Sequence, residues 1–197
     1  FLLILFALAV FFLLITPGPG VLSTAGVGST YGYRLGVKYV TGLFIGTNIV
    51  ALIVISGLAG IIFSYPNVRT FLLLLSSIFF LYLSLKIMLE GSKLRFLKSQ
   101  NIPGIKLGIL LQLINPKAYF VNLTFYSGFD FYSSNFLIEI LLKLLISNLI
   151  WIPIHFIWLY AGVSMYELSL SNNTKNIIRY IMGISLILVV ILSLISQ

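Results

Sequence analysis

Ile15-Thr16-Pro17-Gly18-Pro19-Gly20 interrupts an apolar run that starts at Phe1, and Asn115-Pro116-Lys117-Ala118 interrupts another that starts near Lys106. Proline removes a backbone donor and clashes with the preceding helical turn. In hydrocarbon, each freed carbonyl costs several kcal/mol unless something satisfies it. Broken helices at membrane depth therefore persist where they are buried in protein or line a watery cavity. A pair of breaks in corresponding places of two halves is the best sequence pointer to a transporter's binding site.

Composition supports a membrane setting for both runs. Of 197 residues, 60% are hydrophobic and 8% charged, and the mean hydropathy is +1.13. A soluble domain carries about 25% charged residues. The chain is read as one integral membrane domain over 1–197 with no room for a soluble one. With no cysteine, one histidine and four acids, thiol chemistry is excluded, metal ligands are scarce, and no metal or cofactor is expected. The net charge of +8 does not point to nucleic acid, because the basic residues flank apolar runs and so set orientation. Neither a basic region nor a small-residue cleavage site precedes Thr16, so the first run is read as a retained span.

A span needs about 20 apolar residues. Six stretches qualify: 1–22 (with a half-helix continuing to 30), 38–62, 69–89, 105–128, 137–161 and 177–196. The expected fold is all-α, with six transmembrane helices. The polar connection 91–104 separates a first repeat, 1–90, from a second, 105–197. Three spans per half send the second half into the membrane from the opposite face, which makes the repeats inverted. The breaks then fall in helices 1 and 4. Asn115 lies nine residues beyond Lys106, roughly 14 Å at 1.5 Å per residue, near the middle of a core about 30 Å thick. Connections after spans one, three and five hold Arg34, Lys38, Lys93, Arg95, Lys98, Lys106, Lys175 and Arg179. These should face the cytoplasm, with both termini outside.

Polar side chains recur at helical spacing. Gln112, Asn115, Tyr119, Asn122 and Tyr126 share one face of span four. They either bond to neighbouring helices or form a cavity wall. Lys117 is a ligand for a carboxylate or a donor to the carbonyls freed by Pro116. In span five, Asn148, His155 and Gly162 are seven apart, as are Trp151 and Trp158. His155 is a candidate proton carrier or a packing residue. Asn48 is a further cavity candidate. Gly42 and Gly46, four apart, allow close helix approach within the chain, or a homodimer contact. Lys86 and Glu90 are spaced as an i,i+4 ion pair. Enzyme readings fail: no H-E-x-x-H motif exists, Asp130 is the one aspartate, and no serine motif accompanies His155.

These motifs resemble the LysE/RhtB family of bacterial inner-membrane amino-acid exporters along nearly the whole chain. The resemblance rests on Ile15-Thr16-Pro17-Gly18-Pro19, Gly32-Tyr33-Arg34-Leu35-Gly36, Gly42 with Gly46, Leu81 through Lys86, Gly108 with Asn115-Pro116-Lys117-Ala118, Tyr160-Ala161 and Gly183. Gln112 stands where the family often has asparagine. Many members carry an acid in span five, where this chain has Asn148 and His155, so a proton role passes to His155 or to substrate. The resemblance implies export of an amino acid from the cytoplasm by proton exchange. The expected substrate site takes in Thr16, Pro17, Gly18, Pro19, Asn48, Gln112, Asn115, Pro116, Lys117, Tyr119, Asn122 and Asn148. The missing acid favours a neutral substrate such as threonine or homoserine. The alternatives are a uniporter or importer of another small solute, and a membrane scaffold whose polar stripes pair fully and leave no cavity.

Overall fold

A computed structural model describes residues 1–58, 65–89, 103–132, 134–167 and 171–195. Among them are helices and connections but no strand. The helices are α1 (Leu2–Ile15), α2 (Pro19–Ile55), α3 (Pro66–Leu89), α4 (Ile105–Ile114), α5 (Pro116–Ser127), α6 (Phe136–Glu167) and α7 (Asn172–Ile195). Two stretches, Pro19–Ile55 and Phe136–Ser164, are long and apolar enough to cross a bilayer alone. Both proline breaks are present, between α1 and α2 and between α4 and α5.

The expected loop between the first two spans is absent. Helical geometry continues through it except at Gly32, with φ 77° and ψ −176°. A side chain is strained at that positive φ, so glycine is the residue that fits. The single glycine folds α2 into a hairpin. Tyr39 Oη donates to Ser23 Oγ at 3.0 Å, although sixteen residues of straight helix would hold them about 24 Å apart. Arg34 and Lys38, placed by their charge in a loop, are exposed on the first turns after the bend. Glu90, and with it the proposed Lys86–Glu90 pair, lies outside the described residues, as do positions 91–102 of the linker.

The core runs along α2 and α6. Leu22, Val27, Tyr39, Leu43, Leu111, Trp151 and Leu159 form its largest buried cluster. Glycines set the spacing. A β-carbon at Gly28 would lie 2.8 Å from Leu159 O, and β-carbons at Gly42, Gly108 and Gly162 would run into the carbonyls of Ile105, Tyr39 and Ala25. Gly42 and Gly46 therefore pack inside the chain, against α4. A second cluster joins Phe6 and Val10 of α1 to Val121 and Phe125 of α5. Phe6 meets Phe125, Phe129 and Phe131 at ring distances of 5.4–5.8 Å.

Candidate functional site

The two breaks meet. Lys117, at the start of α5, reaches across to the first break and its Nζ donates to Thr16 O at 3.0 Å. Between the breaks, α2 and α6 lies a cavity that opens to the outside of the molecule. Thr16, Gly18, Gly20, Asn48, Gln112, Asn115, Lys117, Asn122, Asn148 and His155 all contribute to its wall. Four other expected site residues, Pro17, Pro19, Pro116 and Tyr119, are not on that wall. The prolines shape the backbone around it.

The two helix starts differ. At α5, Asn115 is the N-cap and its Oδ1 accepts from Lys117 N at 3.1 Å. Its Nδ2 donates to Gln112 Oε1 at 3.3 Å. Tyr119 Oη donates to Leu113 O at 3.0 Å, repairing a carbonyl that the break strands. The second break thus satisfies much of its own backbone. At α2, the N-cap is Gly18, extended at φ −159° and ψ 178°, and no side chain caps it. Pro19 has no N–H, and the N–H groups of Gly20 and Val21 precede any helical carbonyl they could reach. Both residues line the cavity. The positive end of α2 consequently opens onto it. A β-carbon at Gly18 would sit 2.8 Å from Lys117 Nζ, so glycine there admits the ammonium to this helix end.

An acceptor lies beside this helix end. His155 is 3% exposed. Its ring stacks on Trp151 with centroids 3.5 Å apart and planes 12° apart. Its Nδ1 lies 3.0 Å from Trp151 O, and because a carbonyl only accepts, Nδ1 carries the hydrogen. In the neutral ring, Nε2 then offers a lone pair. That atom is 3.7 Å, and Gln112 Nε2 3.9 Å, from where a Gly20 β-carbon would stand. A larger residue at position 20 would intrude between them.

Other polar groups are committed to the fold. Asn48 and Asn148 exchange bonds at 3.2 and 2.9 Å, and Asn122 Nδ2 donates to Ala118 O at 2.8 Å. Ser147 Oγ, beside Asn148 on the wall, is buried without a partner. The cavity also takes in Thr47, Trp151 and Ser147, which periodicity did not single out as ligands. Thr47 and Ser147 directly precede the two asparagines, the one signal that was available. No three His, Asp or Glu side chains converge as metal ligands among the described residues.

A family model described as LysE type translocator matches residues 11–197. No curated protein and no solved structure matches the chain.

Proposed function

The chain belongs to the LysE type translocator family, a family of transporters, and from that premise we propose that it exports an amino acid across the bacterial inner membrane in exchange for protons. On this reading the chain makes six spans in two inverted halves, with both termini outside. One observation carries the substrate class: the cavity gathers the open donors of the α2 start and the Lys117 ammonium, with the lone pair of His155 Nε2 close by at Gly20. The uncapped Gly20 and Val21 N–H groups and the Lys117 ammonium suit a carboxylate. His155 Nε2 lies beside them, and with the second lone pairs of the Gln112 and Asn115 amide oxygens, which each already accept one bond, it suits an ammonium. A zwitterion presents that pairing of charges, whereas an uncharged solute leaves Lys117 unanswered. A scaffold protein has no need of the cavity at all. With no acid among the wall residues, a neutral amino acid such as threonine or homoserine fits better than a cationic one. On this reading His155 couples the protons.

Efflux from cells preloaded with a mixture of labelled amino acids tests this. Lys117→Gln keeps a hydrogen-bonding side chain but loses the charge-assisted bond, worth about 1.5–3 kcal/mol. Efflux of the substrate should fall roughly 10- to 100-fold, with membrane abundance unchanged. A protonophore should abolish export by the parent protein. Unaltered efflux by Lys117→Gln would remove the carboxylate assignment, and efflux that survives the protonophore would remove proton exchange.

A further inference from the structure

Three hydrogen-bonded contacts connect the halves of the chain at nearly the same sequence offset. Lys117 Nζ meets Thr16 O across 101 residues. Asn48 and Asn148 meet across 100. Ser84 Oγ donates to Gly183 O at 2.9 Å across 99. Each joins a different pair of elements: the two breaks, then the second limb of α2 with α6, then α3 with α7. Unrelated packing has no reason to hold the offset constant. Two repeats related by a twofold axis do, because residues near the axis meet their own counterparts. In a self-matched contact of this kind, residue i bonds j as j bonds i. The Asn48–Asn148 pair has that form: across the pair each amide gives one bond and receives one, and Asn48 Nδ2 donates in addition to Phe44 O at 2.9 Å.

The packing does not obey the same twofold. At the end carrying Arg34, Lys38 and Lys106, the backbones themselves touch, Gly28 and Gly162 between α2 and α6 and Gly42 and Gly108 between α2 and α4. At the opposite end, α1 and α5 are held by side chains, among them Phe6, Val10, Val121 and Phe125, and Tyr119 and Ala118 against Val50 and Val54. One end is closed by backbone contacts and its counterpart by side chains. A twofold molecule with unequal ends is one of two states that the rotation interchanges.

We propose that the Asn48–Asn148 amide pair lies on a twofold axis in the membrane plane and is the pivot about which the halves exchange states, the present state being closed by glycine contacts at the basic end. The proposal rests on the transporter reading but on no particular substrate. On the axis, each asparagine takes its partner's place in the other state, so the bonds survive the exchange while the glycine contacts part. The pair's mutual bonding then makes it a positioning element, and the substrate ligands are the groups left open around Gly20 and Lys117.

The absence of cysteine makes a direct test practical. Asn48→Cys and Asn148→Cys would be joined by a short bis-thiosulfonate, because a cyclic amide pair holds its β-carbons farther apart than a disulfide spans, in purified protein that also carries Val163→Cys, a residue 2% exposed in the closed end. The rate at which a maleimide labels position 163 reads the opening of that end without any transport assay. The expected result is a labelling rate within about twofold of that of the same protein with only Val163→Cys. A tenfold or greater fall would make the pair a gate and overturn the pivot. Failure of the cross-link to form in folded protein would overturn the contact, and no labelling in either form would overturn the exchange of states. Should the triple variant not fold, Thr47→Cys and Ser147→Cys, also 100 apart, joined by a short bis-thiosulfonate, take its place under the same criteria. Efflux is measured in parallel: an unbridged Val163→Cys protein that labels normally but moves no amino acid sinks the substrate assignment and leaves the pivot standing.

Discussion

Asn115 shows how one residue divides the labour at a broken helix. Its side-chain oxygen caps α5, and its amide nitrogen holds Gln112 against the cavity. The two roles separate by mutation. Asn115→Asp keeps an N-cap acceptor but gives up the donor to Gln112, whereas Asn115→Ala loses both. Loss of an N-cap costs about 1 kcal/mol, which for 150–250 residues lowers a thermal midpoint by roughly 2–4 °C. Asn115→Ala should show that loss in detergent and Asn115→Asp should be spared it. Efflux should fall in both, since each frees the Gln112 side chain beside His155. An aspartate variant as unstable as the alanine one would show that the cap is not what Asn115 supplies. The sequence carried the proline, the asparagine and their spacing, and so placed Asn115 and Lys117 at a break. It carried no sign that Lys117 would bind a carbonyl of the other break, because that contact spans 101 residues.

At the scale of elements, the glycines decide how near helices come. Gly108 sits against Tyr39 O and Gly42 against Ile105 O, so α4 lies on the second limb of α2 with no side chain between the backbones. Both obstacles are backbone atoms, which cannot rotate away. Gly108→Ala must push the helices apart, and overpacking of this kind costs about 1–3 kcal/mol. The expected outcome is a midpoint lowered by roughly 2–12 °C. If the contact also closes the basic end, maleimide labelling at Val163→Cys should rise. A stable Gly108→Ala protein with unaltered labelling would mean that α4 does not close against α2 as described. Much at this scale was legible. Both ends of α3, the start of α4, the end of α5 and the start of α6 fall within a few residues of the ends of the apolar stretches, since each is bounded by a proline, a glycine or polar residues. The reversal near Gly32 was legible too, from the gap between the first two stretches and from Arg34 and Lys38, but not that one glycine makes it with helix on both sides. Nothing local distinguishes a glycine at φ 77° from the many others in α2.

For the whole molecule, the two ends of the cavity are held by different chemistry. The basic end relies on backbone contact. The other end relies on the Phe6 aromatic cluster and on an ion pair that the sequence reading passed over. Glu139 and Lys143 are one helical turn apart on α6, 3.0 Å between charged atoms and each under a tenth exposed. The glutamate-before-lysine spacing was visible, but it suggests a solvated surface pair. The structure instead places it under the loop that follows α5. Lys143 Nζ donates to Phe129 O and, at 3.3 Å, to Tyr126 O, while Glu139 Oε1 accepts from Phe131 N at 3.1 Å. The pair therefore gathers the C-terminal carbonyls of α5 and fixes that helix to α6. Removing one member of a buried pair strands the other and costs on the order of 3–5 kcal/mol. Lys143→Met strands a carboxylate and two carbonyls, whereas Glu139→Gln leaves the lysine its two carbonyls and retains an acceptor for Phe131 N. Lys143→Met should thus be the more damaging, with a thermal midpoint lowered by roughly 6–20 °C. The double variant should be more stable than Lys143→Met alone, because it no longer buries an unpaired charge. Equal losses from the two single changes, simply added in the double, would show that the groups act separately. The clasp on α5 would then have to be sought in the Phe6 cluster, where Phe6→Ala tests the same end through packing rather than charge.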